Sequence, residues 1–150
     1  MINKFSSCFL ISILFSTLLL SGCGSSEDER VLRNNISSIR EAITSHKPEQ
    51  LMQHIDQAYK SSLHNNIKVL GDFVNLHLSR NRVIHLYLAD IDIDIEGDTA
   101  KIIFFSGVAG GPDQIPERGR LFKVGTHWLK TDGQWKITQA KWRPALLQKK

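Results

Sequence analysis

Residues 92–102 read DIDIEGDTAKI, and residues 132–137 read DGQWKI. In the first stretch Ile91, Ile93 and Ile95 alternate with Asp90, Asp92, Asp94 and Glu96. Successive strand side chains point to opposite faces, so this period of two describes a half-buried strand with one solvated face. Glu96-Gly97-Asp98 supplies a tight turn, and Thr99 to Val108 returns as a second strand rich in Ile and Phe. Leu121 to Lys130 reads as a third strand. Asp132-Gly133 turns it into a fourth, Trp135 to Trp142, which Pro144 stops. Ala109 to Arg120 is a Gly- and Pro-rich connection, longer than a usual hairpin loop, and is either a lid or a plain hairpin tip.

Upstream of these strands the period is helical. Leu32, Ile36, Ile39 and Ile43 form one stripe of a helix from about Glu27 to Ser45. Pro48 suits the first turn of a second helix carrying Leu51, Met52, Ile55 and Tyr59. A third runs from about Asn65 to Arg80, with Ile67, Leu70, Val74 and Leu78 on one face and Val69, Phe73 and Leu76 widening it. Helices followed by an antiparallel meander predict an α+β domain with the helices on one side of a curved sheet.

The chain has 150 residues and a formal charge of +4, which fits one domain and excludes a large multidomain enzyme. Residues 1–22 hold one charge, Lys4, ahead of the apolar run Phe9 to Leu20. That run has the length of a signal-peptide core and is short for a bilayer span. Leu20-Ser21-Gly22-Cys23 then resembles the bacterial lipobox. The resemblance implies cleavage after Gly22, acyl chains on Cys23 and, since Gly24 rather than Asp follows, a place in the outer membrane with the domain facing the periplasm. Two or more chains on one Cys meet the need for more than a single lipid signal in a stable anchor. The expected organisation is a signal peptide (1–22), a lipidated Cys and polar tether (23–29), a folded domain (30–144) and a basic tail (145–150). Cys8 leaves with the signal segment, so thiol chemistry and zinc–thiolate sites are excluded from the remainder. The mild positive charge without a basic tract makes nucleic acid a poor partner.

The quoted hairpin, the terminal DGQWKI turn, His85-Leu86-Tyr87-Leu88 and Trp142-Arg143-Pro144 together resemble the NTF2-like (SnoaL-like, cystatin-like) superfamily over about residues 28–144. The resemblance implies a cone-shaped fold with a pocket between the helices and the concave sheet face. It places Phe73, Val74, His85, Tyr87, Phe104, His127 and Trp128 near that pocket. In catalytic relatives a His or Tyr paired with an acid moves a proton, which requires a base of suitable pKa within hydrogen-bond reach of the substrate. His85 matches by position and is the one candidate general base. Asp56 and Asp72 are the obvious acids of the helical half to pair with it, and neither sits in a recognisable motif. Hence the expectation is a non-catalytic binding domain for a protein partner or small apolar ligand. A small SnoaL- or dehydratase-type enzyme using His85 is the alternative.

No cofactor or metal is expected. The acidic row at 90–96 alternates along a strand, and its members cannot converge on a calcium ion. The six histidines (46, 54, 64, 77, 85 and 127) lack metal-ligand spacing. Trp128, Trp135 and Trp142 are read as core or sheet-face residues, with a homodimer through the open sheet face left open.

Overall fold

The computed structural model describes residues 27–111 and 118–145. The expected signal segment, lipidated Cys23 and start of the tether, residues 112–117 of the Gly- and Pro-rich connection and the end of the expected basic tail lie outside the described residues. Seven elements follow in order: α1 (Glu27–Thr44), α2 (Pro48–Met52), α3 (Ile67–Arg80), β1 (Val83–Glu96), β2 (Thr99–Gly111), β3 (Arg118–Thr131) and β4 (Gln134–Pro144). The strands form one antiparallel sheet in the order β1-β2-β3-β4. This is the expected α+β architecture, helices first and then a curved meander.

Local chemistry explains the element ends. Asn66 caps α3, its side chain accepting from Val69 N–H at 3.0 Å. His46 takes a left-handed conformation (φ 55°) after α1, and the Lys47 and His46 N–H groups donate back to the Ala42 and Ile43 carbonyls. That is a Schellman-type stop. Asp132 and Gly133 both have positive φ (52° and 75°), as a type I′ hairpin turn requires.

The helical half departs from expectation at α2. Ile55 and Tyr59 do not continue it; residues 54–60 run along the free edge of β4. Asp56 N–H donates to the Ile137 carbonyl at 2.9 Å, Ile137 N–H to the His54 carbonyl at 2.8 Å, and Lys60 N–H to the Thr138 carbonyl at 3.1 Å. An exposed sheet edge offers unpaired backbone groups, and this segment satisfies several of them. The strands flanking the Gly-rich connection are also longer than expected, reaching Gly111 and starting at Arg118.

Two bulges shape the sheet. Ala89 pairs with Phe105 and Asp92 with Ile103, so Asp90 and Ile91 oppose Phe104 alone, and Asp90 is left-handed (φ 52°). Thr138 is the extra residue of β4, because His127 pairs with Gln139 and Trp128 with Ile137. Each bulge bends its strand and reverses which face the following residues occupy. The core lies between the helices and the concave face. Leu32 and Ile36 of α1, Tyr59, Leu70 of α3, Ile102, Trp128, Trp135 and Ile137 form one buried cluster. The ends of the fold are tied together at Asp28, whose Oδ1 accepts from Lys130 Nζ (2.7 Å) and Trp135 Nε1 (3.0 Å). These two donors hold the Asp28 carboxyl below its ordinary range.

Candidate functional site

The seven pocket residues expected from the sequence do not share one cavity. Trp128 is 2% exposed in the core, and Val74 and Phe104 pack against it. Phe73 lies at the margin, ring-to-ring with His64, His77 and Trp142 at 4.6, 4.3 and 5.9 Å. Tyr87 is 69% exposed, and His127 is exposed on the sheet face turned away from the helices. His85 is half-buried in a shallow depression of about 330 Å³ at the β1 edge, lined also by Arg40, Glu41 and Thr44 of α1. The bulge at Asp90 causes this division. Counting back by twos from Ile91 would put Tyr87 and His85 on the inner face, and the extra residue moves both to the outer one. His127 follows from simple alternation, since its neighbours Thr126 and Trp128 are the buried ones.

The concave face is filled rather than hollow where the core cluster lies. Its buried polar side chains are Ser61, His64, Ser106 and Thr126, and no carboxylate is buried among the described residues. Thr126 Oγ1 accepts from Trp128 Nε1 at 2.8 Å. The candidate acids serve elsewhere. Asp56 Oδ1 accepts from Ala58 N–H at 2.7 Å, closing a local turn, and Asp72 pairs with Lys68 on the exposed surface of α3 at 2.8 Å.

Two polar groups of the interior are unusual. The Tyr59 side chain is 2% exposed; its hydroxyl has Ser61 and the Ala140 backbone as neighbours and completes no well-formed hydrogen bond with either. Burial pushes the phenol above its ordinary range. His64, which the sequence reading counted only among scattered histidines, is 5% exposed and stacked near Phe73 and Trp142. Its Nδ1 is buried with no partner, and burial pulls the imidazole below its ordinary value of 6.5, favouring the neutral ring. No spacing in the sequence distinguishes His64 from the other five; its environment is made by α3 and β4 closing on it. Among the described residues no group of three or more His, Cys, Asp or Glu could hold a metal, and no helix is long and apolar enough to cross a membrane.

A second depression, of about 400 Å³, lies on the outer face of the sheet. Ile103, Gly125 and Lys141 are lateral neighbours across β2, β3 and β4 there, with Lys123, Arg143 and Leu63 around them and the inward-turned Trp142 bordering the depression.

No known protein-family model matches the chain, and no curated protein does. Solved structures do. A candidate dehydratase of the NTF2-like family from Streptomyces avermitilis is 17% identical, with a TM-score of 0.70, over 82% of this chain and 100% of that one. A candidate scytalone dehydratase from Novosphingobium aromaticivorans is 14% identical, with a TM-score of 0.71, over 79% and 85% of the two chains. An NTF2-like superfamily protein from Salmonella enterica serovar Typhimurium is 12% identical, with a TM-score of 0.72, over 84% and 96%. Identities this low carry the architecture and not the activity, and on that architecture the chain has the NTF2-like fold.

Proposed function

We propose that the protein is a membrane-anchored periplasmic lipoprotein whose NTF2-like domain binds a ligand or partner without chemistry. The anchor rests on the lipobox ending at Cys23. The binding role rests on one observation: the concave face, where catalytic relatives keep an acid–base pair, is packed with Tyr59, Trp128, Trp135 and Ile102, and no carboxylate is buried there among the described residues. Proton transfer needs a base and an acid within reach of one substrate, and among the described residues the interior offers His64 and a crowded phenol. Capture is thereby assigned to the domain's surface depressions.

The enzyme reading with His85 as general base keeps one support, since His85 and Glu41 line the same depression. His85→Ala separates the two. A binding module keeps its ligand in this variant, and an enzyme loses turnover. The anchor is tested by Cys23→Ser, which should abolish palmitate labelling and globomycin-sensitive processing; a variant that still takes label sinks the lipoprotein assignment. Native mass spectrometry of residues 24–150 reads ligand capture directly. The core cluster and every strand lie within residues 31–144, so that fragment retains the whole fold.

A further inference from the structure

Three side chains surround the depression at Gly125 with the same charge. Lys123 and Arg143 are directly opposite each other across β3 and β4, and Lys141 is two residues from Arg143 on the same face. Like charges directly opposite on a sheet destabilise it. None of the three makes an ion pair with a described residue; Lys123 instead lies over the Phe105 ring at 5.8 Å. The carboxylate nearest along the row, Asp92, is the partner of Ile103 on the far side of β2. Adjacent strands lie about 4.8 Å apart, so two strand spacings separate Asp92 from Gly125 and three separate it from Lys141.

The floor between these cations is apolar. Gly125 leaves a gap in the outer face that any side chain would fill, and a Cβ built there meets nothing within 4 Å. Ile103, beside Gly125, and the half-exposed Leu63 supply the apolar surface, while Trp142, which its pairing with Val124 turns to the inner face, borders the depression from that side. A strand interior gains nothing from a glycine and often carries one where something must approach closely. An apolar trough about 10 Å across, from Ile103 to Lys141, rimmed by three unpaired cations, matches one chemistry. We infer that the outer-face groove at Gly125 binds a single-chain amphiphile, its aliphatic segment lying over Gly125 and Ile103 and its anionic head group held by Lys123, Lys141 and Arg143. A bound anionic head group relieves the like-charge repulsion between Lys123 and Arg143. This inference rests on the binding-module reading and names its site and ligand class.

The test uses residues 24–150 and the probe ω-bromoundecanoate, whose bromine quenches tryptophan fluorescence at contact. All three tryptophans face inward by register; Trp128 and Trp135 are each 2% exposed, whereas Trp142 is half-buried and borders the groove, so it is the tryptophan that reports on it. The expected result is saturable quenching that weakens as salt is raised and is displaced by dodecyl phosphate but not by dodecyl maltoside. Gly125→Val fills the trough where no atom stands in the way, and should weaken binding at least tenfold with an unchanged circular dichroism spectrum. The Lys123→Gln/Lys141→Gln/Arg143→Gln triple variant should do the same, and ω-bromoundecanol should bind wild type at least tenfold more weakly than the acid. Equal affinity for the alcohol, or quenching that ignores both folded variants, overturns the inference and leaves a binding module with its site elsewhere. Absence of quenching together with a stable dimer in sedimentation also overturns it, and gives the face to a second copy whose Asp92 and Asp94 supply the anions. Turnover dependent on His85, with no probe bound, removes the binding reading itself.

Discussion

Tyr59→Phe is the substitution for which the structure predicts a sign opposite to the usual one. Most core changes destabilise, yet here the only atom removed is a hydroxyl that is buried and poorly partnered. Burying an unpaired polar group costs about 1–3 kcal/mol in protein mutational data. The Ser61 and Ala140 neighbours recover part of that cost, which sets the expected gain near the low end, about 1 kcal/mol. For a domain of this size the gain corresponds to a rise in Tm of about 4 °C. The assay is urea and thermal unfolding of residues 24–150, wild type against Tyr59→Phe, with an unchanged m-value as the check that compactness is the same. Tyr59→Ala serves as the contrast, because losing the ring should cost about 3–5 kcal/mol as for other large aromatics. If Tyr59→Phe instead loses about 1 kcal/mol or more, the hydroxyl is making a full hydrogen bond. The interior would then hold a satisfied polar group, and the case against interior chemistry would weaken with it.

Other outcomes follow from the same geometry. Leu32→Ala, at a fully buried position in the same core cluster as Ile102, should cost about 2–5 kcal/mol by denaturant unfolding. Asn66→Ala should cost about 1 kcal/mol through the lost cap on Val69 N–H, and Asn66→Asp should restore most of it. His64 has a folded pKa below its unfolded value, so the unfolded chain takes up the proton first as pH falls below about 6.5. Stability should therefore decline from neutral pH toward pH 5, and His64→Phe should flatten part of that decline in melts followed across the range. His54, also lowered by burial and by the nearby Lys136 charge, contributes in the same direction.

The order of elements and the turns that join the strands were legible in the sequence because they are local. Gly97 and the Asp132-Gly133 pair fix hairpin turns through their own positive φ, and the Ile91–Ile95 alternation needs only its neighbours to define a strand face. The Leu32–Ile43 stripe marks a helix in the same way. What only the tertiary structure decided is which face, and which partner, each residue met. A single extra residue at Asp90 moved His85 and Tyr87 from the inner surface to the outer, since strand side chains have a period of two and one insertion inverts everything beyond it. Ile55 and Tyr59 left the helical pattern because the free backbone of Ile137 and Thr138, some 80 residues later, bonds the backbone of their neighbours His54, Asp56 and Lys60. The groove at Gly125 joins Ile103, Lys141 and Leu63 only through strand register and the loop that covers β4, and no period in the chain encodes contacts made across that distance.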